Sequence, residues 1–519
     1  MHGNRETSRA PSPDGGAGRS EKAMRRTADT HAFEESDDLI VPQKRANKAG
    51  GTAAEPVEGS GSAKGNAQED TASRTQSRHQ VSLGLEGVRQ VARRDKDVRF
   101  TALLHHVNPE QLQASYFQLR KQASPGVDGE TWAAYGEDLE TRIPDLHGRI
   151  HRGAYRPKPS KRQRIPKADG RERLLGIAAV EDKIVQHAVK TVLEAIYEAD
   201  FMGFSYGFRP GRSQHRALDA VWVGMTKRKV NWVLDADIRG YFDTIDHGWM
   251  LKFLEHRIAD RRIIRLIERW LEAGVVEDGI WSETEVGTPQ GSVISPLLSN
   301  VYLHYVFDLW ADQWRRKYAN GDVVVVRYAD DFVMGFQHEA EARRFHHELK
   351  GRFAKFGLAL HPQKTRVIEF GRYAAERRSK RGQPKPETFD FLGFTHQCGV
   401  SSRGWFEIKR RSIAKRMRAK LHDLKEQLRR RMHMPLIDQA KWLRSVVQGW
   451  FQYHAVPGNG QSLDQFQTQV GRLWLRMLRR RSQKGRKWTW KRMTRLIRTW
   501  FPKVRILHPY PTQRLIVTT

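Results

Sequence analysis

Cysteine is all but missing from this chain: a single residue, Cys398, among 519. That excludes a disulfide scaffold and any cysteine-rich zinc module. Long apolar runs are missing as well. No stretch approaches the ~18–20 residues that a membrane-spanning helix requires. The polar N-terminus has no signal-peptide core, and no apolar stretch follows Arg25-Arg26, so a soluble, cytoplasmic protein without a membrane partner is expected. Acid is scarce relative to base. The 91 Lys and Arg outweigh 59 Asp and Glu, for a formal net charge of +32. Such an excess suits a polyanionic partner, nucleic acid first and a membrane surface second. His346-His347 and the other histidines have no acidic or cysteine neighbours at metal-binding spacing.

What is present divides the chain by composition. Residues 1–95 are poor in aromatics and rich in Gly, Ala, Ser, Arg and Glu ("GGTAAEPVEGSGSAKGNAQED"). They bury too little apolar surface to offset ordering entropy, and are expected to form a disordered basic extension. Beyond it the pattern is globular and mixed. "AVEDKIVQHAVKTVLEAIYE" spaces Ile184, Val185, Ala188, Val189, Val192 and Ile196 along one helical face. "VNWVLDADI" reads as a strand, and "DHGWMLKFLEHRI" as a helix with Asp246 as N-cap. "VVVVRYADDFVMGF" reads as a hairpin, followed by a helix from about Glu339 to Lys355. "TRVIEF" and "TFDFLGF" read as further strands. Strand–helix–strand–strand–helix–strand order predicts a ferredoxin-like split βαβ sheet in an α/β (α+β) protein. From about Phe406 the chain turns helical, basic and tryptophan-rich.

The hairpin carries the chemistry. Adjacent carboxylates, Asp330 and Asp331, interrupt two β-branched runs. Aspartate is a common turn residue, so a plain hairpin accounts for the local pattern. A repelling pair beside buried strands also calls for a partner or a metal. "VLDADIRGYFDTID" supplies further carboxylates, of which Asp235 and Asp237 share one strand face. Three carboxylates at adjoining strand ends can hold two Mg²⁺ ions, which favour hard oxygen ligands. Two such ions ~3.5–4 Å apart clamp both oxygens of an in-line phosphoryl displacement.

"SPGVDGETW", "IPKADGRERLLGIAAVEDKIVQHAV", "FMGFSYGFRPGRS", "VLDADIRGYFDTID", "GTPQGSVISPLLSNVYLHYVFD", "RYADDFVMGF", "LALHPQKTRVIEF" and "FDFLGFTH" follow one another in order, and "GWFQYHAV" lies beyond them. In this order and spacing the chain resembles a group II intron-encoded reverse transcriptase/maturase of the bacterial type, from about residue 97 onward. The resemblance implies a right-hand polymerase. Fingers and the start of the palm would span 96–235, and the palm with its catalytic hairpin and primer grip 236–405. A helical thumb/maturase domain would span 406–485, and a basic-aromatic tail 486–519.

It also implies roles. Asp237, Asp330 and Asp331 would bind metal, helped by the Ile238 carbonyl, with Asp331 the less direct ligand. Phe242, five residues past Asp237, favours Asp237 over Asp235, because a polymerase needs a bulky ring beneath the incoming sugar. Gln290 and Gly291 of "TPQG" would line the nucleotide pocket, and Lys167 and Arg173 would hold the triphosphate. Leu174 stands where the family usually has proline, a small local change. Lys364 would be the general acid for pyrophosphate, although a surface lysine after a proline turn reads equally well. Arg209 and Arg212 would grip template phosphates. Phe391, Leu392 and Gly393 would form the primer grip, although the same pattern fits a buried strand with a bulge glycine. Arg429, Arg430, Arg431, Trp488 and Trp490 would bind structured RNA, with both tryptophans exposed, whereas Trp450 and Trp474 read as core.

The implied activity is RNA-directed DNA polymerisation together with maturase action, with intron RNA, target DNA, primer and dNTPs as partners. No cysteine follows Cys398, so the paired-cysteine HNH endonuclease common in the family is expected to be absent, and mobility would then rely on host-supplied primers. Two other readings stand beside this one. A stand-alone reverse transcriptase of defence or retron type is disfavoured by the "GWFQYHAV" region. A splicing cofactor that has lost its polymerase is disfavoured by the intact Asp237, Asp330, Asp331, Gln290 and Lys364.

Overall fold

The computed structural model describes residues 84–514 except 167–171, 278, 284–285, 289 and 402. Most of the expected disordered extension and Lys167 lie outside the described residues.

Three sheets form among the described residues. The first contains β1 (Ser160–Pro166), β2 (Glu172–Ile177), β4 (Val275–Glu277) and β5 (Ile280–Ser282), in the order β2-β1-β4-β5. The second contains β3 (Trp232–Asp237), β6 (Val323–Tyr328), β7 (Asp331–Phe336) and β8 (Arg366–Glu369), in the order β6-β7-β3-β8. All its neighbours are antiparallel. Helices cross between β3 and β6, and the helix Glu339–Lys355 crosses between β7 and β8. This is the expected ferredoxin-like order. The third sheet, β11-β10-β9, is a meander of β9 (Phe389–Phe391), β10 (Phe394–Val400) and β11 (Phe406–Ser412).

The second sheet is covered on both faces, which explains its near-continuous apolar strands. Val233, Val326, Val333 and Ile368 pack on Ala217, Leu218 and Val221 of the helix Gln214–Lys227. On the other face Phe332 meets Phe307, with ring centroids 4.5 Å apart, and Phe353 at 6.3 Å. Two packed faces hold the strand ends rigidly, and the carboxylates sit at those ends. The helix His247–Glu255 starts on Asp246, whose carboxylate accepts from the Trp249 N–H at 2.7 Å.

Helices Ala414–Arg430, Leu436–His454, Gly460–Arg481 and Trp490–Trp500 share a separate core that includes Leu443, Val447, Trp474, Met493 and Phe501. Among the described residues no helix is long and apolar enough to cross a membrane.

The structure redraws three expected boundaries. Residues 406–412 form β11, paired along its length with β10, so the helical domain begins at Ala414. Residues 486–519 do not form a tail over their described part. Met493 and Phe501 are buried in the helical core, and Trp488, Ile497 and Trp500 pack against it. Residues 84–94 form a helix rather than disordered chain, with Leu85 and Ala92 buried. Its anchor is remote in sequence. Arg257, 1% exposed, pairs with Asp200 at 2.9 Å and donates to the carbonyls of Ala92, Asp95 and Val98, closing the helix C-terminus.

Arg257→Ala removes that clamp and the cation beside buried Asp200. It is expected to cost about 3–5 kcal/mol of stability and to open the 84–94 segment to trypsin. Chemical denaturation and limited proteolysis measure both effects. An unchanged midpoint and unchanged cleavage would contradict the clamp.

Candidate active site

β3 and β7 run antiparallel in a register that sets Asp237 directly across from Asp331. Asp235 stands two steps further in, opposite Val333. Parity alone leaves Asp235 and Asp237 equivalent, and the register separates them. Between β6 and β7 the chain turns through Ala329 and Asp330, with Tyr328 paired to Asp331. Ala329 lies at φ 56°, a left-handed conformation that costs free energy for any residue with a Cβ.

What holds this turn is buried beneath it. Arg327, wholly buried, donates through Nε and Nη2 to both carboxylate oxygens of Asp308, at 2.7 and 2.5 Å. Its Nη1 donates to Asn300 Oδ1 and to the Ala329 carbonyl, each at 3.0 Å. Asn300 in turn donates from Nδ2 to the Gly207 carbonyl at 2.7 Å. A Cβ at Gly207 would lie 2.2 Å from the Ala329 nitrogen, so glycine is required there. Asp308 closes a one-turn π-helix, His304–Asp308, an irregularity that aims its carboxylate at Arg327. Burial pushes the Asp308 carboxyl up, and the Arg327 guanidinium opposes the shift.

Two clefts open among these elements, and Asp237 and Asp331 line the second of them. One, about 450 Å³, is lined by Phe242, Thr288, Gln290, Leu174 and Gly176. Here the Thr288 N–H donates to the Phe242 carbonyl at 2.8 Å and the Gly176 N–H to the Gln290 carbonyl at 2.6 Å. Gly291, at φ 110°, packs so closely that a Cβ would lie 2.8 Å from the Gly176 carbonyl oxygen. Phe242, Gln290 and Gly291 are thus strapped together with the strand that carries Arg173, whose backbone pairs with Ile165. The other cleft, about 460 Å³, is lined by Asp237, Asp331, Lys364, Leu392, Gly393 and Arg416, among others. The Leu392–Gly393 bulge has φ 46° and 86°. The Tyr453 hydroxyl donates to the Leu392 carbonyl at 2.8 Å and the Ile413 N–H to that of Gly393 at 3.1 Å. Phe391 is buried.

Among the described residues no group of three His, Cys, Asp or Glu is already drawn into a cage. The electrostatics nevertheless ask for positive charge. Asp331 keeps a surface open to the cleft. Even so, the protein packed around its carboxyl, together with the charges of Asp330 and Asp237, pushes it up to about 7. Lys364 Nζ donates to Asp237 Oδ2 at 2.5 Å, so a side-chain cation already meets this carboxylate. Oxygen-only donors with residual repulsion fit a hard divalent ion. Ile238 follows at the strand end, its side chain buried and its backbone bridged to Leu360. Asp235, pushed up to about 6 by burial, lies 3.6 Å from Arg366.

Two expected contacts are corrected. Arg209 is 6% exposed, and its guanidinium is consumed by Glu198 and by the carbonyls of Met202 and Ser205. It shapes the loop and cannot reach a template. Trp488 is half-buried against the helical core, under the Arg492 guanidinium at 4.3 Å. Arg212 is partly exposed, donating to the Gly203 carbonyl at 2.6 Å and lying over Tyr206. Arg429 and Arg430 are exposed, Arg431 stacks on Trp442 at 4.6 Å, and Trp490 is 40% exposed.

Sequence reading missed Arg327, Asp308, Asn300, Tyr453 and Arg416. Arg327 and Asp308 carried a signal: each is a lone charge inside an apolar run ("VVVVRY", "HYVFDLW") and must find a partner.

Residues 165–396 match the family described as Reverse transcriptase (RNA-dependent DNA polymerase). Protein YkfC of Escherichia coli (strain K12) is 33% identical over 335 residues, 56% of this chain and 87% of that protein. Group II intron-encoded protein LtrA of Lactococcus lactis subsp. cremoris is 34% identical over 228 residues, 42% of this chain and 37% of that protein. Nuclear intron maturase 2, mitochondrial, of Arabidopsis thaliana is 31% identical over 109 residues, 20% of this chain and 15% of that protein. The chain thus spans most of the first relative but little more than a third of the second.

Asp308→Asn keeps the shape beneath the turn and removes the charge, leaving Arg327 buried without its counter-ion. The expected loss is about 3–5 kcal/mol, read as a lower denaturation midpoint. A midpoint equal to that of the parent protein would show that the pair does not support the turn.

Proposed function

Because the chain belongs to the reverse transcriptase family, in its group II intron-encoded branch, we propose that it copies RNA into DNA and also serves as maturase for an intron RNA. The observation that carries the reading is the cross-strand pair Asp237–Asp331, with Asp330 in the adjoining turn, at the wall of an open cleft. Asp237, Asp330 and Asp331, with the Ile238 carbonyl, would hold two Mg²⁺ ions, which supply Lewis-acid charge at the attacking 3′-oxygen and the leaving pyrophosphate.

The rest of the work falls to protein groups. Phe242 lies in the nucleotide-side cleft, where its ring would exclude a ribose 2′-OH. Gln290 would order the nucleotide against the template. Lys167 and Arg173 would neutralise the triphosphate. Lys364, already on Asp237, would give its proton to the departing pyrophosphate. The Leu392–Gly393 bulge would seat the primer end. Arg212 would meet template phosphate. Exposed Arg429, Arg430 and Trp490, with Arg431 stacked beside them, would meet intron RNA on the helical domain. A DNA target, primer and dNTPs complete the set of partners, and the work would take place in the cytoplasm.

Primer extension on an RNA template tests the assignment. Extension should require Mg²⁺ and fall by several orders of magnitude in Asp330→Ala, while binding and splicing of intron RNA persist. Undiminished extension would remove Asp330 from the chemistry. Phe242→Val should raise incorporation of ribonucleotides relative to deoxyribonucleotides by at least roughly tenfold, since one steric contact is worth ~1–3 kcal/mol of discrimination. An unchanged ratio would return Phe242 to ordinary packing.

A further inference from the structure

A glutamine, Gln186, interrupts the apolar helical run "DKIVQHAVKTV". It lies on the helix Val180–Asp200, 5% exposed, where Ile184, Val185, Ala188 and Val189 are wholly buried. An amide in such a place must find its partners inside the protein. Two of them lie on one loop. Gln186 Oε1 accepts from the Ser292 hydroxyl at 2.8 Å and from the Val293 N–H at 3.1 Å. A backbone N–H can only donate, so the amide atom that meets it is the oxygen, and the Ser292 hydroxyl donates as well.

The same loop is held again at Gln290. The Gly176 N–H donates to the Gln290 carbonyl at 2.6 Å, and Gly291 packs on the Gly176 carbonyl oxygen. Gly176 lies in β2 and Gln186 in the helix that follows it, so one strand–helix unit grips the loop at both ends. That unit also carries Arg173. Gln290 borders the nucleotide-side cleft together with Phe242 and Leu174, whereas Gln186, Ser292 and Val293 line neither that cleft nor the one at Asp237. Any influence of Gln186 on a nucleotide therefore passes through the loop. With two donors converging on one oxygen, a shift of the loop breaks both bonds together.

We propose that Gln186 is a positioning residue for the nucleotide pocket: its buried amide oxygen fixes the Ser292–Val293 end of the loop and so sets where Gln290 meets the incoming dNTP. The proposal rests on the polymerase reading.

The full-length protein copying an RNA template tests it. Gln186→Met keeps the length of the side chain and removes the acceptor. It should raise the KM for dNTP roughly tenfold, well inside what a small misplacement from a remote change can cost. The kcat and the affinity for primer–template should stay within about threefold of the parent values. Gln186→Glu keeps an acceptor oxygen at the same reach and should recover most of the loss. Ser292→Ala removes one of the two donors and should raise the KM in the same direction, by less. On a primer ended by a dideoxynucleotide, the Kd for dNTP is read without turnover. There Gln186→Met should weaken binding in the parent but add nothing in a Gln290→Ala background, because the two residues act through one contact.

Denaturation midpoints accompany each variant, and Ser292→Ala alone and with Gln290→Ala carries the test should Gln186→Met not fold. A folded Gln186→Met with the parent's KM and Kd for dNTP would overturn the proposal. So would an equal loss of dNTP affinity with and without the Gln290 side chain, which would make Gln186 a support of the fold alone. Asp330→Ala separates the two levels. If it still extends primers, the polymerase reading falls. If it is inactive while Gln186→Met binds dNTP as the parent does, only the Gln186 assignment falls.

Discussion

One buried ion pair lies beneath the chemistry. Arg327 and Asp308 have no solvent access and meet through two short hydrogen bonds. Neither charge could stand there alone, since an unpaired ion in the interior costs several kcal/mol. The same arginine also binds side chain and backbone on three sides. It reaches Asn300 and the Ala329 carbonyl through Nη1, while its own N–H and carbonyl pair with Phe204 and Tyr206. A strand, a π-helical turn and a glycine loop thus converge on one residue, and the strained Ala329 turn rests on it. Such a pair adds little net stability compared with apolar packing. Each guanidinium nitrogen of Arg327 finds an acceptor here, from Asp308, Asn300 or Ala329.

Strain gathers where that scaffold ends. Among the described residues three non-glycine residues have positive φ: Phe208, Ala329 and Leu392. Ala329 is in the aspartate turn. Leu392 is in the bulge beside it. Phe208 follows Gly207, which packs on the Ala329 nitrogen, and its ring lies 6.3 Å from that of Tyr328. Arg327 holds the Ala329 carbonyl and the Tyr453 hydroxyl holds that of Leu392, so both strained turns are fixed by neighbouring donors.

Much of this was legible in the sequence because it is local. The β6–β7 hairpin, the Asp246 cap and the helix after Phe336 follow from alternation, capping and periodicity within a few residues. The family motifs pointed to Asp237, Phe242 and Gln290, and the spacing to Phe242 favoured Asp237 over Asp235, as the strand register does. What was misread depends on remote contacts. Arg209 looked like a phosphate grip because aromatics and glycine turns surround it, but Glu198 and two carbonyls consume its guanidinium. Trp488 looked exposed because its neighbours are basic, yet Arg492 lies over its ring and the helical core receives its face. The helix 84–94 has too few apolar residues to declare itself, and Arg257, far along the chain, closes it.

The bond from the Tyr453 hydroxyl to the Leu392 carbonyl belongs to "GWFQYHAV", the segment that set the helical domain apart from a bare polymerase. Through it, and through Ile413 on Gly393, the helical domain is bonded directly to the proposed primer seat. Thermodynamic linkage makes any coupling across such a contact reciprocal. If intron RNA favours one setting of the helical domain, it changes the affinity for the primer by some factor. A seated primer must then change the affinity for intron RNA by the same factor. Splicing and copying, two uses of one chain, would then be set against each other or in step by the geometry of a single carbonyl.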